Sequence, residues 1–134
     1  MREFCSVLLL SAPYSILTYA LPEALPRDMW HAGARVIVPL GQSLRVGILL
    51  ESGVPEPEGR ACKDVLWPVD KACFFGASYL DFIRDLSIRQ MDPPGRILSR
   101  VLPAAMRELP TFRAPDGRQV RLEELAGGAE RGLL

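Results

Sequence analysis

An α+β fold is predicted for this chain: a small β-barrel of five to six strands, two helices packed on it, and a hairpin or tail at the C-terminal end. Three observations lead there. Residues 15–50 alternate apolar and β-branched side chains, with glycine and proline closing each run, as in Gly33-Ala34-Arg35-Val36-Ile37-Val38-Pro39-Leu40-Gly41. Beyond Pro68 the apolar period lengthens from two to nearly four. A hydrophobic fraction of 49% in 134 residues is ample for one core and argues against wholesale disorder.

The strands follow in chain order. Residues 4–10 are almost continuously apolar, which marks a strand buried on both faces. Residues 16–21 form the second strand and end at Pro22, which has no N–H to give a ladder. Residues 22–33 are a packed connection in which Trp30 lids part of the core. The third and fourth strands, 34–38 and 44–51, are joined by a hairpin at Gly41-Gln42-Ser43. Residues 52–59 read as an exposed, mobile loop. The fifth strand is 62–67, with Val65 and Trp67 on one face and Pro68 as its stop.

Helical spacing begins with Tyr79, Leu80, Phe82, Ile83 and Leu86, opposite Asp81, Arg84, Asp85 and Arg89. Asp92 is the expected N-cap of a second helix, with Pro93 in its first turn. Ile97, Leu98, Val101 and Leu102 form its apolar side, and Pro103 its end or kink. Both stripes read as core against the barrel. Residues 111–113 and 119–121 flank Pro115-Asp116-Gly117, a turn in which proline presets one angle and glycine takes the positive one. Residues 122–125 begin a helix that soon meets Gly127-Gly128, as expected of a domain excised from something longer. The division is 1–109 for the barrel and helices and 110–134 for the hairpin and the start of a next, winged-helix-like segment or a disordered tail.

Composition excludes several function classes. Sixteen basic and sixteen acidic residues cancel, so a long non-specific nucleic-acid footprint is disfavoured, while a local site for a strand end stays open. Cys5, Cys62 and Cys73 are odd in number and widely spaced, and His31 is the single histidine. Neither a metal site nor a disulfide scaffold is expected, the cysteines read as buried or half-buried, and a reducing cytoplasm is the simplest setting. The apolar run at 7–10 is short and broken by Ser11, Pro13 and Tyr14, so it reads as a strand rather than a signal peptide. No stretch approaches a membrane span. There is no P-loop, no Gly-x-Ser-x-Gly elbow and no nucleophile–histidine pairing, so this chain is not expected to be an enzyme by itself.

The order of motifs carries a resemblance. Thr18-Tyr19-Ala20-Leu21-Pro22-Glu23, then 33–41, then Val46-Gly47-Ile48-Leu49, Cys62-Lys63-Asp64-Val65-Leu66 and Pro93-Pro94-Gly95-Arg96-Ile97-Leu98 with Val101-Leu102-Pro103 resemble the N-terminal 3′-DNA-binding domain of PriA, the replication-restart helicase also called primosomal protein N′. The likeness spans about residues 8–107. It implies an OB-like barrel that captures the 3′ end of a nascent strand at stalled forks, with other primosome proteins as further partners and no membrane. In that family ATP and zinc sites lie in other parts of the full-length helicase, so no cofactor is expected in this chain.

Carried over residue by residue, the end-binding pocket falls on Leu17, Thr18, Tyr19, Gly41 and Lys63. The family pattern at the first three is Phe-Asp-Tyr, whose aspartate accepts a hydrogen bond from the terminal 3′-hydroxyl. Only the tyrosine remains here. Thr18 can exchange a hydrogen bond without charge assistance, and Leu17 can press on a base without stacking. A weaker or less end-selective pocket is expected. Arg45 is a further candidate phosphate contact and Arg35 a lesser one. Two other readings compete: an OB-like protein-interaction domain that has lost end-binding, with an apolar patch near Phe74, Phe75 or Trp30, and an appendage of an RNA-modifying enzyme.

Overall fold

The computed structural model describes residues 3–59, 61–70, 72–73, 75–113 and 115–121. The expected helix start at 122–125 and the expected role of Phe74 lie outside them. An antiparallel five-stranded sheet forms the body, built from β1 (Glu3–Leu9), β2 (Ile16–Leu21), β3 (Arg35–Leu40), β4 (Ser43–Val54) and β5 (Trp67–Pro68). Its spatial order is β2-β1-β4-β3-β5. Three helices follow, α1 (Ala77–Gln90), α2 (Pro94–Val101) and α3 (Ala104–Arg107), then a separate hairpin of β6 (Phe112–Arg113) and β7 (Gln119–Val120). The arrangement is α+β and OB-like, a partly open barrel.

Strand alternation sorts β1 between two cores. Cys5, Val7 and Leu9 face a first core with Tyr19, Leu21, Val38, Leu49, Val65, Trp30 and Trp67. Leu8 and Leu10 face a second, with Val46, Ile48, Phe75, Leu80, Ile83, Ile97 and Leu98. Burial on both faces is why this segment is nearly all apolar. Each of these aliphatic side chains contributes roughly 1.5–3 kcal/mol on leaving water. The helices thus cover one sheet face, and Trp30 does lid the barrel interior.

The fifth strand is shorter than expected. Residues 63–69 divide their hydrogen bonds between two partners: Ala20 in β2 exchanges bonds with Lys63 and Val65, while Leu66 and Val69 donate to the Ile37 and Arg35 carbonyls of β3. Only Trp67–Pro68 is left as strand, with an isolated parallel bridge at Ala20 and Asp64. Pro68 sits inside that strand opposite Val36, because Leu66 and Val69 do the donating. The same segment draws β2 and β3 towards each other.

Other expectations also shift. Ser52, Gly53 and Val54 belong to β4 rather than to the loop, because two register shifts against β1 absorb Leu50 and Gly53. Tyr79, Phe82 and Val101 are exposed, so α1 rests on the second core by a narrow stripe of Leu80, Ile83 and the half-buried Leu86. Pro93, not Asp92, is the N-cap of α2. The Asp92 carboxylate instead meets Arg96 at 3.3 Å and Arg100 at 3.0 Å. Pro103 ends α2 and then caps α3, a turn the sequence reading lacked. Cys73 is exposed rather than buried. Phe75 and Trp30 are buried, so the apolar patch expected of an interaction domain is not formed by them. The C-terminal hairpin is present, with Gly117 at φ 88° and Phe112 packed on the first core. Among the described residues no helix is long and apolar enough to cross a membrane.

Candidate nucleic-acid interface

A cavity of about 350 Å³ opens at one end of the barrel. Its wall is made by residues 16–19 of β2, by Pro39, Leu40 and Gly41 at the β3–β4 turn, and by Pro57, Ala61, Cys62 and Lys63. Five of the six candidates, Leu17, Thr18, Tyr19, Gly41 and Lys63, therefore meet around one space.

Each is placed by backbone geometry. Leu17 and Tyr19 share the inward face of β2 and pack on the first core. The Tyr19 hydroxyl donates to the Pro39 carbonyl at 2.8 Å, which fixes the ring as the floor of the cavity. Burial, and then the neighbouring Cys5, raise the Tyr19 phenol above its ordinary value. Opposite it on β1, burial pushes the Cys5 thiol up to about 12. Thr18 is half-buried at the cavity edge. Ala20 turns its N–H and C=O outward to Lys63 and Val65, and the two-residue alternation of a strand turns those of Thr18 the same way, away from β1.

Gly41 has φ 61° and holds the first position of a two-residue turn between Leu40 and Ser43, the pattern of a type II′ hairpin. A Cβ there would meet nothing within 4 Å, so the space above it is open. Lys63 is exposed and its Nζ donates to the Gly41 carbonyl at 3.2 Å, bridging the two lips of the cavity.

The arginines lie elsewhere. Arg45 pairs with Val38 in register and is half-buried; it does not line the cavity, and its Nε has no hydrogen-bond partner among the described residues. Arg35 binds the Asp70 carboxylate through Nε at 3.1 Å and Nη2 at 2.8 Å, and the Met106 carbonyl through Nη1 at 3.2 Å. Burial would raise the Asp70 carboxyl, but hydrogen bonds and charge from Arg35 overcome it and hold the group below its ordinary value. Arg35 thus fastens β3 to α3.

The sequence reading missed Ile16, Pro39, Leu40, Pro57, Ala61 and Cys62 as wall residues. Pro39, Leu40 and Cys62 were signalled by adjacency to Gly41 and Lys63. Pro57 had no signal, since a loop proline says nothing of what it faces.

A protein-family model of the 3′-DNA-binding domain (3′BD) of PriA matches residues 6–103. The chain belongs to the PriA 3′-DNA-binding domain family. It is a DNA-binding domain of the PriA 3′BD type, and its partner is 3′ DNA. The matched span takes in the whole cavity and ends at Pro103, where α2 gives way to α3. No curated protein matches the chain.

Proposed function

We propose that this PriA-type 3′BD captures the 3′ end of a single DNA strand in the cavity between β2 and the β3–β4 turn, as the end-sensing part of a helicase that restarts stalled forks in the bacterial cytoplasm. The observation that supports this most is the convergence of Leu17, Thr18, Tyr19, Gly41 and Lys63 on one open cavity. Leu17 and Leu40 offer an aliphatic surface to the terminal base. Thr18 offers a hydroxyl to the sugar, and Lys63 a point charge to the last phosphate. The balanced net charge suits a site that reads one end rather than a long backbone track.

The test uses a labelled linear single strand and a circular single strand of the same composition, titrated at fixed salt. Tighter binding of the linear strand is expected, with Lys63→Ala weakening it roughly three- to tenfold, the range of one net hydrogen bond. Equal affinity for line and circle would refute end capture. No binding to either would favour the interaction-domain reading.

A further inference from the structure

We propose that the cavity holds a strand end bearing a 3′-phosphate at least as tightly as one bearing a 3′-hydroxyl; this rests on the end-capture reading above. The charge inventory carries it. Among the described wall residues Lys63 is the one charged side chain, and none is a carboxylate. Selecting a hydroxyl against a phosphate requires an acceptor at the hydroxyl position, best an anionic one, which rewards the O–H and repels the dianion. The carbonyls at the lips, Pro39 accepting from the Tyr19 hydroxyl and Gly41 from Lys63, are neutral acceptors that do not repel a phosphate. What remains is mainly donors, the Lys63 ammonium with N–H groups to spare, the Thr18 hydroxyl and the Thr18 N–H turned away from β1, beside one neutral acceptor, the Thr18 carbonyl turned the same way, which carries no charge to repel a phosphate. A terminal phosphate, with about 1.5 to 2 negative charges at neutral pH, matches that set.

The apolar part of the wall adds a second, independent argument. Ile16, Leu17, Pro39, Leu40 and Pro57 present aliphatic surface, and the ring of Tyr19 is only 4% exposed. A base laid there has no free aromatic face to stack on, so the sugar–phosphate end carries a larger share of the binding. A volume near 350 Å³ suits one terminal nucleotide, being at the small end of ligand cavities.

The experiment compares 5′-labelled oligothymidylates ending in 3′-hydroxyl or 3′-phosphate, with the circular strand as the end-independent control. The full chain is used as wild type, Thr18→Asp and Lys63→Ala. For wild type the phosphate end is expected to bind from equally to about tenfold more tightly. Thr18→Asp should invert the order by about tenfold, since a carboxylate then faces the phosphate. Lys63→Ala should lower phosphate-end affinity more than hydroxyl-end affinity. Wild-type preference for the hydroxyl end by threefold or more overturns the proposal but leaves end capture standing. An unchanged ratio in a folded Thr18→Asp variant also overturns it. Circular strands bound as well as both linear ones would overturn this and the end-capture reading together.

Discussion

The Tyr19 hydroxyl donates a 2.8 Å hydrogen bond to the Pro39 carbonyl, joining the outer strand β2 to the end of β3 across the mouth of the barrel. The main-chain links through residues 63–69 lie at other positions, Ala20, Ile37 and Arg35. Tyr19→Phe keeps the buried ring and removes the donor, leaving the Pro39 carbonyl without it. The expected cost is about 1–2 kcal/mol. Urea denaturation should show a lower midpoint at unchanged slope.

Gly95 and Gly41 are glycines for different reasons. A Cβ on Gly95 would lie 2.2 Å from the Leu9 carbonyl oxygen and 3.3 Å from the Tyr14 Cβ, so α2 can approach β1 this closely only without one. Gly95→Ala is expected to destabilise by roughly 1–3 kcal/mol through overpacking, despite alanine's better helix propensity. At Gly41 there is space but a positive φ, so Gly41→Ala should cost only about 1 kcal/mol. Thermal melting of the two variants side by side checks the order.

Acidification should loosen the attachment of β3 to the segment that follows β5. The Asp70 carboxyl titrates below its ordinary 3.8 because Arg35 outweighs the effect of burial. A depressed carboxyl contributes its stability above the unfolded value, and that contribution is lost as pH falls through the folded one. Unfolding free energy should therefore fall below about pH 4 in wild type. Asp70→Asn should be less stable at pH 7 and show a flatter fall across the same acid range.

Alkali should act from inside the barrel. Burial raises both the Cys5 thiol, to about 12, and the Tyr19 phenol. Groups with raised values contribute stability that is complete below their unfolded values and is lost as pH rises. For Cys5 the loss starts near its ordinary 9.0 and runs to about 12, at no more than about 1.4 kcal/mol per pH unit. Cys5→Ala should flatten that alkaline fall. At neutral pH a thiol reagent should label the exposed Cys73 fast, the half-buried Cys62 more slowly, and Cys5 only on unfolding.

Much of the barrel was legible because short-range rules govern it. The bounds of β2 follow from the alternation that ends at Pro22, and the β3–β4 turn from Gly41. The pocket candidates Leu17 to Tyr19, Gly41 and Lys63 were legible through family resemblance, not through any pattern of their own. Phe82 and Val101 were misjudged because helical periodicity marks an apolar stripe without saying how much of it finds a partner. Asp92 was misjudged because a carboxylate before a helix serves equally as a cap or as a partner for arginines one and two turns on.

The sequence alone determined the class of fold, the two-sided burial of β1, the β3–β4 and C-terminal hairpin turns and the family. These depend on residue type and on neighbours within a few positions, so the linear pattern contains them. The tertiary structure alone decided that residues 63–69 serve two strands at once, that Arg35 is held by Asp70 and Met106, and that the cavity wall carries one cation and no carboxylate among the described residues. The Arg35 contacts join groups 35 and 71 residues apart in the chain, and only packing brings such groups together.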